Sequence, residues 1–467
     1  MKSPKYRRAP GALRHGATLL LAALLAWPAG AATGAAQAAA DPLPRGAAGP
    51  CADEEPDAFA ATPDPQASAA ARQALQALLQ QAQARSQSVG AARLLAEAAQ
   101  SDLEEARAQP LPQVRLGGGL NALNQHQGLL RQDGVQGQAS LSLSAPLFDA
   151  GRSAAQADWR ERLLEAARQG ELDAREQVAL QTVSLALERQ RYRRQVEVYA
   201  RYEARMSCLM GALERIVAAD RGRASELLQT SNTLRQVQLS LAQAQSQQRQ
   251  VESRLRRFVG ETLPPPAPLE ALLPGPPALE ATLDQAAHAN AIAQLSAQAQ
   301  AQQHLARATA AQNRPQLSWS VSGSRSAGVG TPSTVWSAGV NLSVPLLDLT
   351  AEPAQRAARQ RAEATLLQRD EALSARLQRV AETHEQARAA FERAQASVEV
   401  LRGSQRVRQA TLLQWQQLGR RSLFDVISSE SEYHNLLVTR VNALLDAQQA
   451  TALLWSLGAG VAAGLQQ

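Results

Sequence analysis

"VQGQASLSLSAPLFDAGR" at residues 135–152 alternates apolar and polar residues, reaches a proline and then opens into a long helical pattern. A closely similar stretch, "VWSAGVNLSVPLLDLTAE", returns at 335–352. Alternation with a period of two predicts a β-strand with one apolar face and one polar face. Its return about 200 residues later indicates that the chain contains two copies of one unit.

The two units share three landmarks in the same order. The first pair of landmarks is "LPQV" at 111–114 and "RPQL" at 314–317, the second is "APLFD" at 145–149 and "VPLLD" at 344–348, and the third is "GRASELLQ" at 222–229 and "GRRSLFDV" at 419–426. A proline can end strand pairing and still precede a helix, because it lacks only the N–H. Strand–helix junctions are therefore predicted at the repeated prolines, Pro112, Pro146, Pro315 and Pro345.

The start of the 467-residue chain has the pattern of a secretory signal peptide, with a basic beginning, an apolar core and small residues up to Ala40. This segment holds five basic residues and no acidic one, so without it the formal charge falls from +6 to about +1. The remaining chain shows no basic excess that would indicate a nucleic-acid partner. It also lacks the roughly 18 uninterrupted apolar residues of a membrane helix, so any membrane-spanning part is predicted to consist of strands.

Each unit is predicted to contain a helix, two strands, a long helix, a tip turn and a return helix. The long helices, from about 151 to Gly222 and from about 351 to Gly419, would each span about 100 Å at 1.5 Å per residue. Shorter helices are predicted at 70–109, 226–258, 282–313 and 423–457. Each pair of short helices matches the length of one long helix. An apolar stripe from Leu366 to Leu401, with spacings that alternate between four and three, predicts packing between these helices.

The chain therefore divides into consecutive segments. The predicted division is a signal peptide at 1–40, an N-terminal tail at 41–69, a first repeat at 70–262, a proline-rich crossing at 263–281, a second repeat at 282–457 and a C-terminal tail at 458–467.

The strand runs are about ten residues long, which is the length that a tilted strand needs to cross a bilayer. Taken alone, they also fit ordinary hairpins with one solvent-facing side. Four strands in lipid leave unpaired backbone groups at two sheet edges, so a membrane sheet requires association of several copies. Two copies would supply eight strands and three would supply twelve. Because an eight-stranded barrel is filled by its own side chains, a conduit favours three copies.

The order of these segments resembles the TolC-like outer-membrane efflux and secretion protein family. The segments are "LPQVRL" at 111–116, "LSLSAPLFDAGR" at 141–152, a long helix, a "GRAS" turn at 222–225, a return helix and a proline-rich break, and the same order then follows again. The resemblance covers about 70–457. It implies an α+β, mainly α, fold: a homotrimer with a twelve-stranded outer-membrane β-barrel, four strands from each chain, continued by a long α-helical periplasmic barrel with coiled-coil tips.

The resemblance also implies a location and partners. The channel would lie in the outer membrane of a Gram-negative bacterium, contact outer-membrane lipid and extend into the periplasm. Its tip would meet a periplasmic adaptor, and the adaptor an inner-membrane ABC transporter, with an RND or MFS pump as the alternative. The sequence shows no cluster with metal-ligand spacing and no phosphate-binding loop, so we expect neither a cofactor, a metal nor an enzymatic activity.

The two tip turns are the candidate functional site. Gly222 and Gly419 can take the positive φ that a helix reversal needs, and Ser225 and Ser422 are placed to cap the returning helices. The resemblance assigns the gate position to Arg421 and the acidic-ring position to Asp425. The position one turn further on is Ser428, and Glu430 lies on a different face. From the residues alone, Arg421 and Asp425 also fit an ordinary exposed i, i+4 pair.

The two cysteines, Cys51 and Cys208, are candidates for a disulfide in an oxidising compartment. Lipidation of Cys51 is the alternative, although this residue follows the apolar core of the signal by some 25 residues.

Three functions fit this sequence. The first is the exit duct of a type I protein secretion system, similar to the export channel of adenylate cyclase toxin. The second is the outer-membrane component of a drug or metal efflux pump. The third is a periplasmic coiled-coil adaptor or scaffold, which the duplicated strands disfavour.

Overall fold

The computed structural model describes residues 65–127, 130–263, 265, 267, 269–272, 275–328, 332–418 and 421–466. All of them belong to one compact unit. The helices are α1 (Pro65–Arg85), α2 (Gln87–Ala108), α3 (Arg152–Ala219), α4 (Ala224–Val259), α5 (Leu279–Ala287), α6 (Asn290–Gln312), α7 (Ala351–Leu418), α8 (Leu423–Leu457) and α9 (Val461–Gly464). The strands are β1 (Gln113–Gln127), β2 (Leu130–Phe148), β3 (Gln316–Gly328) and β4 (Ser333–Ser343).

The four strands form one antiparallel sheet in the order β1-β2-β3-β4. Pairing of β2 with β3 joins the two repeats side by side. The predicted faces are present, since the polar face carries hydroxyl contacts between strands, such as Ser322 to Ser337 at 2.8 Å and Ser326 to Ser333 at 2.8 Å. The opposite face carries leucine, valine and tryptophan. Strands β1 and β4 are the two edges of this sheet.

The two long helices, α3 and α7, each contain 68 residues, which confirms the predicted lengths and gives about 100 Å each. The shorter helices lie end to end along α3. Near the sheet, α2 contacts α3 through Arg160 and Asp102 at 3.0 Å, and farther along, α4 contacts it through Arg189 and Glu252 at 3.3 Å. On the other side, α6 and then α8 pack against the same helix.

Two predicted helices are interrupted. The expected helix at 70–109 is divided at Ser86, whose hydroxyl accepts a hydrogen bond from the Val89 amide at 3.4 Å and so begins α2. The expected helix at 282–313 is divided into α5 and α6 at His288 and Ala289. Side-chain periodicity continues through such breaks, which explains why the sequence pattern does not show them.

The apolar stripe predicted on α7 is confirmed as a packing surface. Val380, Ala387, Phe391, Ala394 and Leu401 are all buried. Among the described residues, no helix is both long and apolar enough to cross a membrane.

The prolines predicted at the junctions need one correction. Pro112 and Pro315 immediately precede β1 and β3. Pro345 follows the end of β4 by two residues. Pro146, however, lies within β2 and faces Ser318, because an irregularity of the strand register between Pro146 and Phe148 accommodates the missing N–H.

An aspartate forms the turn into each long helix. Asp149 accepts hydrogen bonds from the backbone amides of Gly151 at 3.1 Å and Ser153 at 2.7 Å, just where α3 begins. Asp348 accepts bonds from the Thr350 amide at 2.8 Å and hydroxyl at 2.7 Å, just before α7. These carboxylates satisfy amides that a helix start leaves free. The repeated aspartate, rather than the repeated proline, therefore organises the change from strand to helix.

Candidate functional site

The first tip turn connects α3 to α4 through a short 3-10 helix, Arg221–Arg223. The Asp220 carboxylate accepts a hydrogen bond from the Gly222 amide at 3.0 Å, which starts this turn. Two expectations for this turn are wrong. Gly222 does not take a positive φ, and Ser225 does not cap α4, whose first turn has no side-chain cap. The 3-10 helix leads directly into α4, so neither device is required.

The second tip turn connects α7 to α8 and uses a different arrangement. Ser422 caps α8, as predicted: its hydroxyl accepts from the Asp425 amide at 3.3 Å, and the Asp425 carboxylate accepts from the Ser422 amide at 3.3 Å. This reciprocal pair satisfies two amides at once. Gly419 lies outside the described residues.

Arg421 lies beside this cap and contacts both helices of the turn. Its Nη1 is 3.9 Å from the Asp425 carboxylate, and its Nε donates to Gln414 of α7 at 3.2 Å. The side chains of Arg421 and Asp425 are 54% and 38% exposed. Solvent screening makes such a pair worth at most about 1 kcal/mol. The pair is therefore a small contribution to stability, and its exposure leaves both charges accessible.

Ser428 lies one helical turn beyond Asp425 and is exposed. It lines a surface groove of about 530 Å³ between α4 and α8. Phe424, which is 56% exposed, lines the same groove with Thr233 and Gln236. The groove therefore combines an exposed aromatic ring with hydroxyl and amide groups near the tip.

A buried charge cluster that the sequence pattern did not predict lies near the second turn. Glu430 of α8 is fully buried, and its two carboxylate oxygens contact Arg205 of α3 at 3.0 Å and Arg408 of α7 at 3.3 Å. Both arginines are almost completely buried. A buried carboxylate that pairs with two guanidiniums is compensated, whereas either charge alone would be very unfavourable. This cluster, Arg205–Glu430–Arg408, fixes α8 against both long helices.

Aromatic rings enclose the cluster. His434 stacks on Tyr202 with 4.4 Å between ring centroids, and its Nδ1 lies 2.8 Å from the backbone oxygen of Glu430. The Arg408 guanidinium lies 4.3 Å above the Tyr433 ring. Burial raises the pKa of the Tyr202 phenol, so the ring stays neutral.

A signal for this cluster was present in the sequence. The stripe on α7, continued beyond Leu401 by spacings of four and three, reaches Arg408. Arg205 likewise lies three residues after Tyr202 and four before Leu209, both of which are buried. A charge at an apolar stripe position on each of three helices would have indicated a buried ion pair.

The remaining candidates are dispersed. Cys208 is half-buried on α3, and Cys51 lies outside the described residues, so the pairing of the two stays a prediction. Within the part of the chain that the structure describes, no three residues among His, Cys, Asp and Glu are grouped to hold a metal ion.

Comparison with known proteins relates this fold to outer-membrane channels. Residues 78–261 match the family model described as outer membrane efflux protein. No curated protein matches the chain in sequence.

Several solved structures share the fold. The outer-membrane channel OprN has a TM-score of 0.73 and 18% identity, and the match covers 87% of this chain and 96% of that one. The outer membrane protein VceC of Vibrio cholerae has a TM-score of 0.71 and 18% identity, with 83% and 96% covered. The MtrE outer membrane channel of Neisseria gonorrhoeae, in its open state, has a TM-score of 0.71 and 16% identity, with 83% and 89% covered.

At these identities the structural likeness establishes the fold, and the family match covers most of the first repeat. The chain has the mainly helical architecture with one four-stranded antiparallel sheet that these channels share. The members of this family are channels, not enzymes. Residues 78–261 are thus similar to the outer membrane efflux protein family, and the chain as a whole has the fold of the outer-membrane channels OprN and MtrE.

Proposed function

We propose that three copies of this chain form a passive exit duct across the outer membrane and the periplasm. The observation that carries the proposal is the sheet with two free edges, β1 and β4, attached to two helices of 68 residues. In lipid, each unpaired backbone group at such an edge costs several kcal/mol. Pairing of β1 with β4 of a neighbouring copy removes both edges, and three copies close a barrel of twelve strands.

The helices would form the periplasmic part of this duct. About 100 Å of parallel helix extends from the strand ends to the two tip turns. The turns therefore form the far end of the duct, where a periplasmic adaptor would dock. The groove between α4 and α8, with Phe424 exposed in it, supports a docking role for this end.

Arg421 would act as the gate residue at that entrance, with Asp425 as its acidic neighbour. Both side chains are exposed at the second turn, so three copies would bring three such pairs together around the axis. Loss of the Arg421 charge would then weaken contacts that hold the entrance closed. Opening would be a movement of the tip helices, biased by whichever partner binds the open arrangement more tightly.

We propose type I protein secretion, with an inner-membrane ABC transporter as the energy source, as the system that this duct serves. The signal-peptide pattern without a lipidation context, the tail at 41–69 and the "GRASELLQ" turn support it. The second candidate is efflux of drugs or metals by an RND or MFS pump, which the name of the matching family favours.

A deletion strain tests the choice of cargo. We expect the culture supernatant to lose one or a few large repeat-rich proteins by mass spectrometry, while a drug-susceptibility panel stays unchanged. Broad drug hypersensitivity with an intact set of secreted proteins would instead identify an efflux duct. If neither assay changed, the duct function itself would be contradicted.

Arg421→Ser tests the gate. We expect a larger conductance of the purified channel in planar bilayers and sensitivity of cells to vancomycin. Arg223→Ser is the matched control, because Arg223 lies in the first turn and pairs with Glu226 at 3.1 Å. Equal conductance of Arg421→Ser and wild type would count against the gate role.

A further inference from the structure

Arg325 occupies an unusual position on the apolar face of the sheet. The strand register places side chains of this face in rows across the four strands, and one such row consists of Leu116, Leu141, Gly323 and Trp336. The next row toward the hairpin ends consists of Gly118, Ala139, Arg325 and Thr334. An arginine thus follows directly after a row with three large apolar side chains, and its neighbours in its own row are small.

The guanidinium of Arg325 has no partner. Its side chain is exposed, and among the described residues it makes neither a hydrogen bond nor an ion pair. A shallow depression of about 700 Å³ surrounds it, lined by Gly118, Leu120, Gly137, Ala139 and Ala327. A Cβ at Gly118 would meet only a backbone oxygen, at 3.8 Å. Since the sheet would tolerate a larger residue at Gly118, the glycine leaves space that a ligand can use.

The depth of Arg325 in the membrane follows from the strand geometry. From Leu317, at the helix end of β3, to Arg325 the strand rises about 27 Å at 3.4 Å per residue. A tilt of about 40° reduces this to roughly 20 Å of height, within an apolar band about 25 Å tall. Arg325 therefore lies near the end of the band that is opposite to the periplasmic helices, and Trp336 lies one row below it. Trp at the lipid–water boundary is a common anchor, and a charge there costs little.

We propose that Arg325 and this depression bind the phosphate-bearing head group of a lipid in the outer leaflet. The proposal rests on the proposed function, since it requires the sheet to span the outer membrane. Guanidinium groups bind phosphate by two parallel charge-assisted hydrogen bonds. The small residues around Arg325 give a head group access to it, and the acyl chains then run over Leu141 and Trp336.

Titration of the purified full-length protein with a phosphorylated lipid tests this site. The protein in neutral detergent is titrated with bisphosphorylated lipid A, with dephosphorylated lipid A and with inorganic phosphate, and thermal unfolding reports binding. For Arg325→Gln we expect the apparent Kd for bisphosphorylated lipid A to rise at least tenfold. Gly118→Leu, which fills the depression without changing charge, is expected to weaken binding similarly.

Arg115→Gln is the matched control. Arg115 lies on the polar face of the same sheet, opposite Ser142, and its guanidinium already donates to Gln113 at 2.9 Å. We expect its variant to bind within twofold of wild type. Unchanged binding by Arg325→Gln, equal binding of dephosphorylated lipid A, or an equal effect of inorganic phosphate alone would overturn the lipid site.

Flotation with phosphatidylcholine vesicles distinguishes failure of the lipid site from failure of the proposed function. We expect wild type and every variant to float with the vesicles, because Arg325 contributes to lipid choice rather than to insertion. A wild-type protein that stays at the bottom of the gradient would contradict the membrane-spanning sheet, and the lipid site with it.

Discussion

The two tip turns lie at equivalent places in the two repeats, yet the chain closes them by different chemistry. In the first turn, Asp220 binds the Gly222 amide and a 3-10 helix continues directly into α4 without a side-chain cap. In the second turn, Ser422 and Asp425 form a reciprocal cap on α8, and Arg421 adds an exposed ion pair. The same landmark in the sequence therefore does not guarantee the same local structure.

The difference continues into the returning helices. Glu430 lies eight residues after Ser422 and is buried between Arg205 and Arg408. Thr233 lies eight residues after Ser225, and its hydroxyl donates to the Gln229 oxygen of its own helix at 3.1 Å. Helix α8 is thus anchored to both long helices, whereas α4 has no counterpart of this ion pair at the matching position. The second turn is therefore followed by a buried ion-pair anchor that the first turn lacks at the matching position.

Removal of the buried carboxylate should have the largest effect. We expect Glu430→Ala to lower the free energy of unfolding by about 3–5 kcal/mol, because it leaves two buried guanidiniums without a countercharge. Thr233→Ala, at the matching position of the first repeat, should change stability by less than about 0.5 kcal/mol. Denaturant unfolding of the purified protein measures both.

A third variant sharpens that test. If stranded charge causes the loss, a triple replacement of Arg205 and Arg408 by Met and of Glu430 by Leu should recover most of the stability. A triple variant as unstable as Glu430→Ala would assign the loss to packing instead.

Replacement of the serine at the equivalent position of each turn, Ser422 or Ser225, should give the next largest difference in stability. We expect Ser422→Ala to cost about 1 kcal/mol, because the Asp425 amide loses its acceptor. Ser225→Ala should stay within about 0.5 kcal/mol, because Ser225 caps no helix. Hydrogen exchange of the first-turn amides in α8 and α4 measures the two effects locally. Equal increases in exchange at both turns would show that the two serines have the same role.

The backbone conformation of the first turn gives a contrast of comparable size. Gly222 lies outside the positive-φ region, so its replacement by Ala strains no backbone, but the new Cβ would lie 3.1 Å from Asp220 Oδ1, and we expect a cost of about 0.5–1 kcal/mol. Gly151, with a φ of 82°, is the control, and its replacement by Ala should cost about 1–2 kcal/mol. Thermal unfolding of the two variants compares them, and the reverse order would mean that Gly222 needs the left-handed conformation after all.

The sequence was sufficient for the elements that depend on periodicity and length. The alternation in 135–145 and 335–344 predicted the strands, and the spacing between the strand ends and the tip glycines predicted α3 and α7 to within a few residues. It was insufficient where several local solutions are close in energy. "GRAS" and "GRRS" look alike, but Asp220 accepts from the Gly222 amide in the first turn, whereas Ser422 accepts from the Asp425 amide in the second. Glu430 was placed correctly on a face apart from Asp425, but that face points toward Arg205 and Arg408, which lie far away in sequence.

The two repeats also differ at their strand–helix junctions, at the other end of the molecule. Replacement of the junction aspartates should have the smallest effect on stability. Burial alone would raise the pKa of Asp149, but hydrogen bonds from Ser153 and Gly151 outweigh it and lower the pKa. A hydrogen bond from the Thr350 hydroxyl lowers the pKa of Asp348, which is fully exposed. A lowered folded-state pKa means that each carboxylate stabilises the fold above its unfolded pKa of about 3.9. This contribution is lost as the pH falls through the folded-state pKa.

Asp149→Asn should therefore lower Tm slightly at pH 7, by the equivalent of about 0.5 kcal/mol, because the single side-chain oxygen of asparagine can accept from only one of the Gly151 and Ser153 amides. The difference in Tm from wild type should shrink as the pH is lowered from 5 through 4 to 2, because the wild-type carboxylate then becomes protonated while asparagine does not titrate. Asp348→Asn should show the same direction with a smaller difference, since its carboxylate lies in solvent. Scanning calorimetry across this pH range measures both variants. A Tm difference that stays constant with pH would show that the aspartates act at the junction by shape and hydrogen bonding, and that their charge contributes nothing.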